Sequence, residues 1–334
     1  MRIERLDLAA EKTVRGCYDV LVAAQELDDP VEPPMSFGMF GVYLRSGWEA
    51  TPTEAWVALD GSETVVGYYR MELPDLENLN RASGGPTVTP AMRRRGIGRE
   101  LLRHLAGRAE ANGRTVFDGP VAAGSAGEAF ALALGARLDL EEIRRIQHLR
   151  TIEPGTVAAL RASAASAAAG YSLVTWAGPV PEQYVGPMAE VLNAFADAPH
   201  GETTEPEVWD EKRVRERIDV VLRAGVMRGH AVAAIDDATG EMAAYTGVLL
   251  DPEKPQWGFQ QLTAVTRAHR GHRLGLLVKT AMLELLAAAE PRLEFIETGN
   301  AATNSYMISV NEALGYKVAD PSWRFYEIPV ANIR

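Results

Sequence analysis

Thr89-Pro90-Ala91-Met92-Arg93-Arg94-Arg95-Gly96-Ile97-Gly98 is the stretch on which the reading of this chain turns. The residues before it, Pro86 to Val88, read as the end of a strand. Those after it, Gly98 to Asn112, read as a helix, with Leu101, Leu102, Leu105 and Ala109 on one side and Gly113 as the stop. A helix start leaves four N–H groups unpaired and carries partial positive charge. Glycines there let an anion approach the backbone, so the junction suits a pyrophosphate. The arginines add local positive charge, although a basic run is also what a solvated face looks like. Two other phosphate motifs do not fit. Leu101 stands where the dinucleotide fingerprint needs its third glycine, and the Gly-Lys-Ser/Thr of a P-loop is missing.

Upstream, the spacing predicts a strand over 2–7, helices over 11–27 and 37–44, and a hairpin of 55–59 and 64–73 around Asp60-Gly61. Downstream it predicts a strand at 115–117, a helix at 127–134 and a strand at 144–149. The second half repeats that order. Strands are expected at 171–176, 231–235, 242–250, 260–265, 293–296 and 323–328, and helices at 181–193, 207–224, 274–289 and 304–314. The two glycine motifs, at Gly98 and Gly275, lie 177 residues apart, which reads as a tandem duplication. The alanine-rich run Ala158–Ala169 reads as a linker helix closed by Gly170. The expected division is therefore 1–152, a linker at 153–170, and 171–334, with an α+β (mixed α/β) fold in each half.

Length agrees, since 334 residues make about two domains. With 47% hydrophobic and 24% charged residues the composition is globular. The apolar run Leu274–Ala289 is interrupted by Lys279 and Glu284, so no membrane span is expected. A net charge of −11 argues against general nucleic-acid binding. The single cysteine, Cys17, excludes an internal disulfide and a Cys-rich metal site. The charged start MRIERLDLAA lacks the apolar core of a signal peptide, so the expected location is the cytoplasm. His269 and His272 could share a helical face, but no HExxH pattern or neighbouring carboxylate completes a site, and no metal is expected.

Arg93-x-x-Gly96-x-Gly98 between a strand and a Leu-rich helix resembles the acetyl-CoA-binding motif of the GNAT superfamily of N-acetyltransferases. Gly67-Tyr68-Tyr69 in the preceding hairpin and Leu134-Gly135-Ala136, where the family has Leu-Gly-Phe, strengthen the match. The second half carries a variant, His269-Arg270-Gly271-His272-Arg273-Leu274-Gly275. Here Arg270 matches Arg93, Gly275 matches Gly98, Arg273 replaces the middle glycine and Gly271 stands two places earlier. With Arg273 there, its side chain must point away from the ligand. The likeness extends over nearly the whole chain, which looks like the two-domain actinobacterial group that includes mycothiol synthase. It implies two consecutive GNAT domains, each a mostly antiparallel mixed sheet flanked by helices. It further implies acetyl-CoA (or another acyl-CoA) as co-substrate, with pantetheine lying where two strands splay. The implied coenzyme contacts are Val88, Arg93, Arg94, Arg95, Gly96, Ile97, Gly98 and Arg99 in the first half. In the second they are Val265, Arg270, Gly271, His272, Arg273, Leu274, Gly275, Leu276 and Asn304. The partner is a small-molecule amine; no nucleic acid or membrane is implied, and the chain is a monomer or homodimer.

Acyl transfer to an amine needs a polarised thioester carbonyl, a base for the amine proton, and a proton or hydrogen bond for the leaving sulfur. In many family members a Tyr on the last helix serves the sulfur. Ala131 stands there in the first half and Asn311 in the second. Asparagine can donate a hydrogen bond; alanine cannot. The first half also has Gly124 where the family's preceding Asn would be, matched by Asn304 in the second. The second half is therefore read as catalytic, as the resemblance to the mycothiol synthase group also implies, although the cleaner glycine motif lies in the first. Alternation puts Gln261 and Thr263 of the strand before the second motif on one face, beside the substrate gap. That strand lacks the family's Glu, so Glu297 on the next strand is the candidate base, or else a solvated strand-end charge. Tyr306 and Tyr326 are candidate acids or pocket-lining groups, or half-buried core aromatics. Asn300 and Asn304 are turn and cap residues or ligand contacts. Asp197, His200 and Glu202 lie in the segment that in this fold covers the acceptor, or in an exposed polar loop. The competing class is an acyl-CoA-binding sensor or scaffold without turnover; a phosphotransferase lacks its lysine and Mg²⁺ carboxylates.

Overall fold

The computed structural model describes residues 1–195, 201 and 203–333. Its contacts divide the chain into two compact units. One comprises Met1–Glu142, Gly201–Glu205 and Asp320–Arg334; the other comprises Ile143–His200 and Pro206–Ala319.

The first unit runs β1 (Arg2–Arg5), α1 (Glu11–Asp28), α2 (Phe37–Ser46), β2 (Thr53–Leu59), β3 (Val65–Glu72), β4 (Arg81–Val88), α3 (Ile97–Ala111), β5 (Val116–Ala122), α4 (Ala126–Ala133) and the start of β6 (Arg137–His148). Helix α2 starts where the Ser36 side chain accepts the Met39 N–H at 3.3 Å, and stops at Gly47, whose φ of 60° a β-carbon would oppose. Strands β1 to β4 pair antiparallel in sequence order, and β4 and β5 are parallel. The β3 side chains alternate. Tyr68 joins Phe40, Leu44 and Cys17 under α1 and α2, whereas Tyr69 and Met71 join Leu101 and Leu105 of α3 on the other face. Buried this way, the Cys17 thiol is pushed up to about 12, so it behaves as a small apolar group.

The second unit continues with the rest of β6, α5 (Thr156–Ala167), β7 (Tyr171–Ala177), α6 (Val185–Phe195), a short α7 (Glu211–Arg213), one π-turn at Val214–Ile218, α8 (Val220–Arg223), β8 (Arg228–Asp236), β9 (Met242–Leu250), β10 (Trp257–Val265), α9 (Leu274–Ala289), β11 (Phe295–Ala301), α10 (Ser305–Ala313) and β12 (Tyr316–Val318). Its sheet order is β6-β11-β10-β9-β8-β7, with β12 on β6. Helices α5, α9 and α10 cover one face and α6 the other.

The last strand, β13 (Trp323–Pro329), belongs to the first unit. It lies antiparallel between β5 and β6, and Ile328, Val330 and Ile333 complete the core against α3. This departs from the expected division at 152. The sequence places 320–334 with the second half because it follows it; the edges of β5 and β6 decide otherwise, since they leave hydrogen-bonding groups that β13 fills. The expected linker is likewise part of the second unit. Ala164 and Ala168 of the α5 segment are buried in the core with α9, and Arg161 pairs with Glu284 at 2.8 Å. Strand β6 begins seven residues earlier than the expected 144. Its charges hid it, but they find cross-strand partners: Glu141 with Arg324 at 2.9 Å and Arg137 with Glu327 at 2.6 Å.

Candidate active site

Each unit opens a gap between two parallel strands. β4 pairs with β5 only at Arg81–Val116, Ala82–Phe117 and Ser83–Asp118, and β10 with β11 only at Trp257–Phe295, Gly258–Ile296 and Phe259–Glu297. Beyond those pairs the strands run on to Val88, Ala122, Val265 and Ala301 without pairing to each other. At the far end of each gap the chain turns through a one-turn helix into α3 or α9.

The two turns share a backbone. Arg93 and Arg270 are extended, with φ of −63° and −68°. Two left-handed residues follow in each: Arg94 (65°) and Gly96 (85°) in the first, Gly271 (91°) and Arg273 (55°) in the second. The loops need two such residues, and each puts its glycine at a different one. The first intrahelical bonds run from Glu100 N–H to Gly96 O at 3.1 Å and from Leu277 N–H to Arg273 O at 3.0 Å. The amides of 94–99 and 271–276 therefore lie ahead of both helix ladders. Gly98 and Gly275 face the preceding strand: a Cβ on either would sit 3.7 Å from Val88 Cγ2 or Val265 Cγ2.

The side chains divide the labour. Arg93 is spent on the protein, clamping Asp28 with both Nη atoms at 2.8 and 2.6 Å and donating to Val88 O at 3.2 Å. Arg270 likewise donates from Nε to Val265 O at 3.3 Å. Arg273 reaches Ser163 Oγ at 2.6 Å, away from the loop. Arg94, Arg95, Arg99 and His272 are exposed; Ile97, Leu274 and Leu276 are buried in the two cores. The residues present thus fit a diphosphate: unused amides, left-handed turns and arginines, with a gap leading away from them.

The units differ along the gap. In β10 the pairing jumps from Gln260–Val248 to Thr263–Thr246, so Gln261 and Leu262 both oppose Gly247. This is a bulge, which disrupts the ladder locally and sets two residues against one. The first unit pairs β3 and β4 regularly through the same stretch and has Pro86, without an N–H, opposite Tyr69.

The family profile described as "Acetyltransferase (GNAT) family" matches residues 22–117. A tandem GNAT protein from the clavulanic acid biosynthesis pathway superimposes with a TM-score of 0.82 at 30% identity over 98% of both chains. The chain belongs to the GNAT superfamily. It is an N-acetyltransferase by family, built as two GNAT units; enzymes of this superfamily generally move an acyl group from acyl-CoA to an amine. The fold alone is shared with a GCN5-related N-acetyltransferase from Sphaerobacter thermophilus (TM-score 0.68, 14% identity, 98% of this chain and 95% of that one). It is also shared with the glucosamine N-acetyltransferase region of a fungal multi-domain β-N-acetylglucosaminidase (0.65, 13%, 98% and 38%). No curated protein sequence matches the chain.

Within the second GNAT unit, α10 begins at Asn304, whose side chain accepts the Met307 N–H at 3.2 Å. The equivalent cap on α4 is Ser125, accepting from Glu128 N–H at 3.2 Å, one residue beyond the Gly124 that sequence alignment offers. Asn311 is fully buried and donates from Nδ2 to Asn300 Oδ1 at 2.8 Å; its own Oδ1 meets no donor among the described residues. Glu297 is buried and bound to Arg144, whose Nε lies 2.9 Å from Oε1 with no exposure of the arginine. Arg144 escaped sequence reasoning because a charged residue on a strand carries no sign of its partner. The first-unit counterpart, Asp118, pairs with Arg81 at 2.6 Å.

Gln261 is exposed, while Gln260 turns back to donate to Gly247 O at 2.7 Å. The bulge breaks the alternation from which a shared face of Gln261 and Thr263 was expected, and Thr263 Oγ1 instead shares a 2.8 Å hydrogen bond with Thr246. Tyr306 is exposed. Tyr326 lies on β13 in the first unit, where its hydroxyl donates to Glu128 at 2.8 Å, so it is not a group of the second-unit site. Asp197, His200 and Glu202 lie outside the described residues. Among the described residues no cluster of His, Cys, Asp and Glu is set to hold a metal.

Proposed function

We propose that this chain acetylates a small-molecule amine with acetyl-CoA by direct transfer in a ternary complex, and that the second unit carries the chemistry. The observation behind this is the β10 bulge at the gap, set against the regular, proline-bearing β4 of the first unit. The co-substrate supplies an activated thioester; the protein must bind it, polarise its carbonyl and manage two protons. The amides of Gly271, His272, Arg273, Leu274, Gly275 and Leu276 hold the diphosphate, with Val265 and Asn304 alongside. The amides of Gln261 and Leu262, at the bulge, polarise the carbonyl. The amine nitrogen attacks that carbon, the C–S bond breaks, and the amine proton leaves for Glu297 directly or through water. The second N–H of Asn311 Nδ2, beyond the one given to Asn300, serves the departing sulfur. Tyr306 and Gln261, both exposed, line the approach. In the first unit Val88 and Arg93 to Arg99 bind a second coenzyme without turnover, or hold the unit as a scaffold.

A small-molecule acceptor is supported by the clavulanic acid pathway to which the similar tandem protein belongs. We place the enzyme in the cytoplasm, as monomer or homodimer; among the described residues no helix is long and apolar enough to cross a membrane. A second reading, an acyl-CoA-binding sensor, is favoured by one fact: Ala131 and Asn311 stand where a tyrosine would serve the sulfur. Free-thiol release from acetyl-CoA with a panel of amines, beside calorimetry of coenzyme binding, decides between them. Heat of binding with no thiol release across the panel selects the sensor; no heat with any acyl-CoA removes both.

A further inference from the structure

We propose that the Tyr245 hydroxyl is an acceptor-binding group, accepting an N–H of the incoming amine at the β10 bulge; the inference rests on the transferase reading and deepens it. Tyr245 lies on β9 and faces α6, on the side of the sheet opposite α9. Its ring is fixed by Trp176 (centroids 5.8 Å apart), itself stacked on Tyr184 at 5.3 Å. The hydroxyl lies over Gly247: a Cβ there would be 2.6 Å from Oη. Gly247 is the residue opposed by both Gln261 and Leu262 of the bulge. The hydroxyl therefore stands beside the residue that faces the bulge, and a side chain at 247 would displace it.

The hydroxyl has no hydrogen-bond partner among the described residues, although burial, with the Asp219 carboxylate as a lesser cause, pushes the phenol well above its ordinary range. A phenol in such surroundings stays neutral and ordinarily finds a partner. The first unit shows what a satisfied version looks like. Its counterpart is Tyr68, in register with Thr87 as Tyr245 is with Ala264. Tyr68 is hydrogen-bonded to the Thr87 side chain and packed edge-on to Phe40. Where the second unit has Gly247, two residues on, the first has Arg70, buried over the Tyr43 ring at 4.2 Å and paired with Glu72 at 2.7 Å. The first unit thus ties its tyrosine and fills the adjoining space. The second deletes the tether (Ala264) and the bulky neighbour (Gly247), leaving a fixed hydroxyl over Gly247 with no side chain beside it to bond.

The test uses the full chain, acetyl-CoA, and the primary amine that the unaltered protein acetylates fastest among amino sugars, amino-acid amides and polyamines. Tyr245→Phe is expected to lower kcat/KM for that amine about 10-fold, as loss of one hydrogen bond to substrate should. Acetyl-CoA affinity by calorimetry should hold within about 2-fold, the allowance for an indirect effect of a contact not made to the coenzyme. Ala264→Ser, which recreates the tether, and Gly247→Ala, which displaces the hydroxyl, should each lower kcat/KM for the amine in the same selective way, whereas Tyr68→Phe should not. Unchanged amine kinetics in Tyr245→Phe, or a parallel loss of coenzyme affinity, overturns the inference while leaving the transferase reading intact. If Tyr245→Phe fails to fold, Ala264→Ser and Gly247→Ala decide by the same readout. An unaltered protein that binds no acetyl-CoA, or acetylates no amine, overturns the transferase reading and this inference with it.

Discussion

The buried pair Arg144–Glu297 allows stability and chemistry to be separated in one set of variants. The ions meet at 2.9 Å, the arginine with no exposure and the glutamate with 8%. Removing one partner leaves the other charged and desolvated, which costs about 3–5 kcal/mol; replacing both with apolar groups of similar volume is often neutral. Arg144→Met should therefore lower the urea-derived unfolding free energy by about 3 kcal/mol or more. Glu297→Gln should cost less, about 2 kcal/mol, because its carbonyl oxygen still accepts a hydrogen bond from the guanidinium. The double variant Arg144→Met/Glu297→Leu should regain most of the loss. Activity should behave differently. If Glu297 takes the amine proton, Glu297→Gln loses about 100-fold or more in kcat, and the stable double variant stays inactive. The assay is thiol release at saturating acetyl-CoA, with acceptor kinetics followed from pH 5 to 9. A double variant that is both stable and fully active would show that Glu297 only balances the charge of Arg144. A cost under about 1 kcal/mol for Arg144→Met would refute the burial argument itself.

Three further outcomes follow from the same geometry. Gly275→Glu sets a carboxylate against the loop proposed to hold the diphosphate and should abolish thiol release, whereas Gly98→Glu should leave it largely intact; the reverse pattern would move the chemistry to the first unit. Asn311→Ala removes the donor proposed to serve the leaving sulfur and should lower kcat about 10-fold with little change in coenzyme affinity, and normal turnover would remove that role. Burial pushes the Lys279 amine down to about 7 from an ordinary 10.5, with the Tyr316 ring 4.8 Å away as its partial compensation. The unfolded chain then binds more protons than the folded one between those values, so stability rises with pH across that window and is lowest below it. Lys279→Met should accordingly stabilise the protein by about 2 kcal/mol at pH 6 and by much less near pH 10, and urea titrations at the two pH values would expose an equal gain as a failure of the desolvation argument.

Much of the architecture was legible in the residues. The period of Leu274 to Ala289 and the hairpin signal at Asp60-Gly61 are local patterns, and the observed α9 and β2–β3 follow them closely. The glycine loops were legible too, because a left-handed turn next to a helix start leaves its mark on composition. Even the displaced glycine at 271 is explained by the loop's two left-handed positions. The charged strand β6 was not legible in full, since its glutamates and arginines read as surface until Arg324 and Glu327 are seen opposite. Tyr326, plausible by sequence as a group of the second site, bonds Glu128 in the first unit.

What the sequence by itself determined is therefore a duplicated α/β chain with two glycine-bearing strand-to-helix loops, because periodicity, capping and turn chemistry act over a few residues. Only the tertiary structure decided that residues 320–334 complete the first sheet, that Glu297 is held by Arg144, and that β10 carries a bulge where β4 does not. Those features depend on which strand edge, counter-charge or opposing residue a group meets far along the chain, and no local pattern encodes that meeting.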